Sequence, residues 1–257
     1  MANTVYENKV IEAKATDLLL TSVNARSMMS IDTSLAETEG MTKTINVYTY
    51  TGKVEKLADG AKNTQRGSIS YVGTDYKVQR AQQVFDYNDA DFMKDNNIVD
   101  MSLEGANALM ANEMTADFYT ECAKASLSHE AAAFGYEAIV DAIALLNIED
   151  ESKLFVVMPT AWKADIRKDE DFKNARAGEI VYGGQIGTVA GIPVVATNAL
   201  EDKAYVMTNE AVKLLMKKDV EVEQDRDIET KDNTVVLTTY YICALINNNK
   251  ICGITVA

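Results

Sequence analysis

The sequence predicts an α+β fold, and three observations carry the prediction. Two stretches rich in Thr, Tyr, Ile and Val alternate with period two, TKTINVYTYT at 42–51 and SISYVGTDYKVQ at 68–79, as half-buried strands do. A stretch over 97–126 spaces its apolar residues as a long helix does. Finally, the tail over 218–257 reads again as strands. With 257 residues and 47% apolar content, the chain can bury a sizeable core in one large or two smaller domains.

Residues 1–40 are polar with scattered apolar positions and read as an N-terminal arm whose apolar side chains dock onto something. Residues 41–88 read as an extended hairpin loop. Between its strands lie sixteen residues bounded by Gly52 and Gly67, far more than a tight turn needs and with little to bury. A two-stranded ribbon is not stable alone, so this one needs a surface to lie on. Residues 89–127 hold the long helix, with Ile98, Met101, Leu103, Leu109, Met110, Met114 and Phe118 as the expected buried positions. A helix over 97–126 spans about 45 Å at 1.5 Å per residue, the length of a structural spine.

Residues 128–217 form a third segment. A helix is expected over 129–146, with Ser128 as N-cap and Glu130 in its first turn. The apolar run LFVVM then reads as a buried strand, and Pro159 starts a further helix that places Trp162 and Ile166 on one face. The strands IPVVAT and AYVM follow, then a short helix over 209–217, before the terminal strands of 218–257.

The stretch VYGGQIGTVAGIPVVATNAL at 181–200 crowds Gly183, Gly184, Gly187 and Gly191 into a turn ahead of Pro193 and a β-branched strand. A phosphate loop needs Gly-Lys-Ser/Thr opening a helix, and a dinucleotide turn needs G-x-G-x-x-G between strand and helix. Neither pattern is present, and a strand, not a helix N-terminus, follows the glycines. This is a shape element, and no cofactor is expected.

Catalytic and metal chemistry is thinly represented. His129 is the only histidine, so multi-histidine metal sites are excluded and a catalytic pair could draw on one imidazole at most. Cys122, Cys243 and Cys252 lie in apolar contexts without C-x-x-C spacing and read as buried thiols. The acidic runs 149–151 and 169–171 read as solvated surface. No window approaches the eighteen or so apolar residues of a membrane span, and the N-terminus lacks a signal-peptide pattern.

Charge is distributed unevenly. The net charge of −14 disfavours attraction to nucleic-acid phosphates or anionic lipid and points to protein partners. Residues 41–67 nevertheless carry five basic side chains against two acidic, whereas residues 89–126 carry eight acidic against two basic. A basic arm on an acidic body leaves two placements for the tip residues Lys53, Lys56, Lys62 and Arg66. They can rest on the spine of the same chain or on that of a neighbour, with Asp100, Glu104 and Glu113 as the candidate acidic partners.

The order of these parts, with the patterns LFVVMPTAWKADIRK, GQIGTVAGIPVVATN and DRDIETKDNTVVLTTYYICALINNNKICGI, resembles the major capsid proteins of tailed double-stranded DNA bacteriophages from about Thr42 onward. The resemblance implies a peripheral domain built on the spine helix (89–127) and terminal strands (218–257), an axial domain over 128–217, and an extended loop over 41–88. It implies a non-enzymatic protein that assembles with itself as hexamers and pentamers into an icosahedral shell in the host cytoplasm. Such a shell encloses double-stranded DNA without sequence-specific binding, and it works with scaffolding, portal and decoration proteins. Some relatives crosslink a loop lysine to a neighbour's asparagine, for which Lys53, Lys56 and Lys62 with Asn247, Asn248 or Asn249 are the chemically suitable residues here. Some also begin with a cleaved helical scaffold, so the short N-terminal arm implies either a separate scaffolding protein or a trimmed chain. Encapsulin nanocompartments share this fold and are the alternative reading, and an α/β enzyme using the 128–217 segment is a remote one.

Overall fold

The computed structural model describes residues 25–37, 39–95, 97–170, 172 and 187–256. A 3-10 turn, Ala25–Met28, leads to strand β1 (Ser30–Asp32), and β2 (Thr42–Thr51) and β3 (Ser68–Lys77) form a separate two-stranded arm. β4 (Gln79–Asn88) and helix α1 (Asp89–Lys94) connect the arm to the spine helix α2 (Ile98–Cys122). Next come β5 (Leu127–Ala131), α3 (Tyr136–Leu146), β6 (Leu154–Pro159), α4 (Lys163–Lys168), β7 (Thr188–Val189), β8 (Ile192–Thr197) and β9 (Lys203–Thr208). The chain closes with the long hairpin β10 (Val212–Arg226) and β11 (Asp232–Leu245), then β12 (Ile251–Val256).

Two sheets organise the body. One is four-stranded in the order β1-β10-β11-β4, with β1 parallel to β10 and the other pairs antiparallel. The spine packs on it through Ala106 and Met110, which meet Val235 and Leu237. The other sheet runs β5-β12-β9-β6-β8-β7, and α3 lays Ala138, Ile139, Ala142 and Leu146 against it. A third apolar cluster joins the two sheets. Phe118, Tyr119 and Cys122 of the spine, Leu214, Met216 and Tyr241 of the first sheet, and Val157, Tyr205, Met207 and Ile251 of the second sheet all belong to it.

The spine has 25 residues, or about 37 Å at 1.5 Å per residue, shorter than the 97–126 expectation. Of the seven positions expected inside, Met110 and Phe118 are buried, Ile98, Met101, Leu103 and Met114 are half-buried, and Leu109 is exposed. The small residues Ala106 and Ala108 are buried in its place, because close approach of helix to sheet favours small side chains over a regular apolar stripe.

Three local expectations give way to tertiary pairing. Residues 127–131, expected to open a helix at Ser128, form β5, which pairs in parallel with β12 so that His129 stands opposite Ile254. The helix begins eight residues later at Tyr136, and its cap comes from a distant residue: the Asp169 carboxylate accepts the Tyr136 N–H at 2.6 Å. Asp169 is therefore not plain solvated surface. The expected short helix over 209–217 is the start of β10, where Val212, Leu214, Leu215 and Met216 are all buried between α2, β1 and β11. A strand buried on both faces reads as a continuous apolar run that periodicity alone does not separate from a helix. The expected segment boundaries shift accordingly: the limit at 217/218 falls inside β10, β12 joins the six-stranded sheet, and β4 leaves the loop segment for the four-stranded one.

Gly183 and Gly184 lie outside the described residues. Gly187 and Gly191 both have positive φ, and the two-residue turn Ala190-Gly191 (φ 51° and 81°) joins β7 to β8 with Pro193 opposite Thr188. Positive φ at both turn positions is the tight-hairpin geometry that glycine accommodates without strain.

Candidate assembly surface

Little of the body stabilises the arm. Its strands pair in register from Thr42 opposite Lys77 to Thr51 opposite Ser68. Ten residues at about 3.3 Å each make a ribbon of roughly 33 Å. Only its root is packed: Ile45 and Tyr76 lie against Leu35, Val78, Leu215 and Ala244, and the Tyr76 hydroxyl donates to the Leu245 carbonyl at 3.0 Å. Lys43 Nζ donates to Asp32 Oδ2 at 2.6 Å and also to the Ser34 hydroxyl, which fastens the root to β1.

Beyond the root, directly opposite residues of an antiparallel pair share a face, so the ribbon's two sides can be read from its register. One side carries Lys43, Ile45, Val47, Thr49 and Thr51 with Tyr76, Thr74, Val72, Ser70 and Ser68. The other carries Tyr48 with Tyr71 and Tyr50 with Ile69. These four large side chains are 62%, 67%, 71% and 66% exposed, which makes a contiguous uncovered apolar patch. The Tyr48 and Tyr71 rings pack at a tilt of 46°, 5.9 Å between centroids. The Tyr50 ring lies across Gly52 and Gly67, where a Cβ would come within 2.9 Å and 2.0 Å of it.

The tip, 52–67, is exposed nearly throughout, and Val54 is 97% exposed. Lys53, Lys56, Lys62 and Arg66 all stand in solvent here, and among the described residues none of them ion-pairs with a carboxylate. The acids expected to receive them, Asp100, Glu104 and Glu113, are likewise exposed along the spine. Arm tip and spine of the same chain form no ion pair among the described residues, so the structure brings neither set onto the other. Glu113 lines a cleft of about 520 Å³ between the spine and β4, together with Asp117, Glu121, Leu109, Met110 and Tyr241. Within it the Tyr241 hydroxyl donates to Asp117 Oδ2 at 2.9 Å, and burial with that hydrogen bond raises the phenol far above its ordinary value.

Elsewhere the chemistry is quiet. All three cysteines are buried, and burial pushes the thiol of Cys243 up to about 12 and that of Cys122 higher still. Thiols held protonated in this way are poor nucleophiles. His129 Nε2 stands 3.7 Å from Asp141 Oδ2. Among the described residues no group of three or more His, Cys, Asp or Glu side chains could hold a metal ion, and no helix is long and apolar enough to cross a membrane. Asn247 and Asn248 are engaged locally, Asn247 capping the 3-10 turn Asn248–Lys250 and Asn248 Oδ1 accepting from the Ser126 N–H at 3.4 Å.

No family model matches this chain. A curated relative, the major capsid protein of Staphylococcus phage phiMR11, is 23% identical over 235 residues, covering 89% of this chain and 85% of its own. The solved capsid of Cyanophage P-SCSP1u superposes with a TM-score of 0.73 at 12% identity, covering 92% of this chain and 89% of that one. This chain has the fold of a tailed-phage capsid protein. The capsid of a native GTA particle gives 0.69 at 13% identity over 91% and 90% of the two chains, and a solved structure from Mycobacterium phage Che8 gives 0.65 at 16% over 91% of each. The capsid fold thus extends over nine-tenths of the chain in both directions.

Two features of this capsid fold escape a reading of the sequence. The aromatic side of the arm is written in the i, i+2 spacing of Tyr48 with Tyr50 and of Ile69 with Tyr71, but joining the two pairs requires the register. The Asp32–Lys43 latch joins residues eleven apart across a loop, and no local motif marks it. The latch makes a prediction. The Lys43 ammonium, foremost, with Ser34, holds the Asp32 carboxyl well below its ordinary 3.8. A carboxyl whose folded pKa is depressed contributes stability above its unfolded pKa and loses it as pH falls through the folded one. Thermal melts from about pH 6 to about pH 2 are expected to show a steeper acid loss for the native chain than for Asp32→Asn, and parallel curves would contradict the latch.

Proposed function

We propose that this chain is a structural major capsid protein, a non-enzymatic subunit that assembles with itself into the shell of a virion. The observation that carries the reading is the agreement of fold along nine-tenths of the chain with capsid subunits, together with a curated major capsid relative of similar extent. The arm supports it independently, because a ribbon whose strands expose six large apolar side chains (Val47, Tyr48, Tyr50, Ile69, Tyr71 and Val72) needs a partner surface.

In this reading the spine and the four-stranded sheet form the peripheral domain, and the six-stranded sheet with α3 forms the axial domain at the centre of hexamers and pentamers. The arm, 42–77, is the loop that crosses to a neighbour. Its Lys53, Lys56, Lys62 and Arg66 meet acids such as Asp100, Glu104 and Glu113 of that neighbour. Assembly takes place in the host cytoplasm with scaffolding and portal proteins, decoration proteins bind the finished shell, and the lumen holds double-stranded DNA. A net charge of −14 suits a container that encloses DNA without gripping it. Sedimentation velocity tests the reading: the chain, expressed alone and with any scaffold gene that neighbours its own, is expected to give a population of very large particles. A monomer boundary in both preparations would refute it.

A further inference from the structure

The two sides of the arm differ in chemistry, and the root of the ribbon shows which side the parent body occupies. Lys43, Ile45 and Tyr76 belong to the same side as Thr49, Thr51, Ser68 and Ser70, and it is these root residues that rest on Asp32, Leu35, Leu215 and Ala244. On the other side the root residues Thr42, Thr44, Asp75 and Lys77 are all exposed. At the root, therefore, the parent body occupies the side opposite to the one that carries Tyr48, Tyr50, Ile69 and Tyr71 in the register.

We infer that this aromatic side is the surface by which the arm docks onto the body of a second copy of the chain, while the Thr49/Thr51/Ser68/Ser70 side remains open to solvent. The inference rests on the shell reading above and deepens it by fixing which way up the arm lies. Charge complementarity identifies the occupant: the arm carries five basic groups against two acidic over 41–67, and the spine region of the same sequence carries eight acidic against two basic over 89–126. A second copy thus offers the acidic surface that the basic tip needs, and rigid aromatic side chains bury large area at low entropic cost. The glycines have a definite part in this. With Gly52 and Gly67 bare, the Tyr50 ring can lie flat across the neck of the ribbon and extend the platform toward the tip. The opposite, hydroxyl side carries Thr49, Thr51, Ser68 and Ser70 toward the tip, with Thr51 and Ser68 hydrogen-bonded to each other at 2.8 Å, and below them Val47 and Val72 at 49% and 71% exposure, two smaller aliphatic side chains against the four larger ones of the aromatic side.

Thiol labelling reads the orientation directly, because the native cysteines are all buried. Single variants Ile69→Cys and Tyr71→Cys mark the aromatic side, and Thr49→Cys and Ser70→Cys mark the hydroxyl side. In assembled particles a maleimide is expected to modify the hydroxyl-side thiols at least about tenfold faster than the aromatic-side ones, while in dissociated subunits all four react alike. The Ile69→Cys variant keeps the three platform tyrosines Tyr48, Tyr50 and Tyr71, so the test survives if Tyr71→Cys fails to assemble; that failure itself, with Ser70→Cys assembling normally, supports the inference. Shells in which positions 69 and 71 label freely while 49 and 70 are protected would overturn the orientation and leave the shell reading standing. A chain that remains monomeric alone and with any scaffold gene that neighbours its own would overturn both.

Discussion

Reversing Lys53, Lys56, Lys62 and Arg66 together to glutamate is expected to abolish shell assembly while leaving the subunit folded. The change converts the basic arm tip into an acidic one that would face acidic spines, and like charges brought together at an interface cost several kcal/mol. A loss of about tenfold or more in particle yield follows even if only a fraction of that energy is realised, since 1.4 kcal/mol is a factor of ten in an equilibrium constant. The four side chains stand in solvent with no carboxylate partner among the described residues, so the monomer melting temperature should move by no more than about 3 °C. Single exposed ion pairs contribute little, and for that reason the four substitutions are made at once. Raised salt should weaken native assembly in the same direction, by screening. Unchanged assembly of the fourfold variant would show that the tip charges do not contact a neighbour.

Phe118→Ala is expected to have the largest effect on folding. Phe118 is fully buried at the point where the spine meets both sheets, and its ring packs at 5.1 Å from that of Tyr119. Emptying such a site costs about 3–5 kcal/mol, from lost transfer energy and from the cavity left behind. For a chain of this size that corresponds to a fall in Tm on the order of 10 °C. Leu109→Ala, on the same helix but exposed, should cost less than about 1 kcal/mol. Thermal melts of the two variants side by side would separate a spine that holds the sheets together from one that merely lies on them. Equal effects would contradict the packing described.

Much of this architecture is legible in the residues, and the places where it is not have a common cause. The arm strands and the spine are long and locally patterned, so period and composition find them. β5 and the first half of β10 are misread because their partners lie far along the chain. Residues 127–131 are held by β12, more than a hundred residues away, against a plausible Ser128 cap. Val212–Met216 lie in a buried strand whose apolar run has no period to read. β4, with the polar sequence QRAQQVFDYN, shows its alternation only once β11 and the spine cover one face. The site follows the same logic. Charge counts along the sequence pick out the arm tip and the acidic spine, but the aromatic platform of Tyr48, Tyr50, Ile69 and Tyr71 exists only in the paired register, and the Asp32–Lys43 latch only in the fold.

The central claim is that this subunit builds a closed shell through arms that cross between copies. Cryo-electron microscopy of the particles that the chain forms, alone or with any scaffold gene that neighbours its own, tests it most directly. Closed icosahedral shells of hexamers and pentamers, with each two-stranded arm lying across an adjacent subunit, are the predicted result. Subunits that stay separate, or assemblies in which every arm folds back onto its own spine, would contradict it.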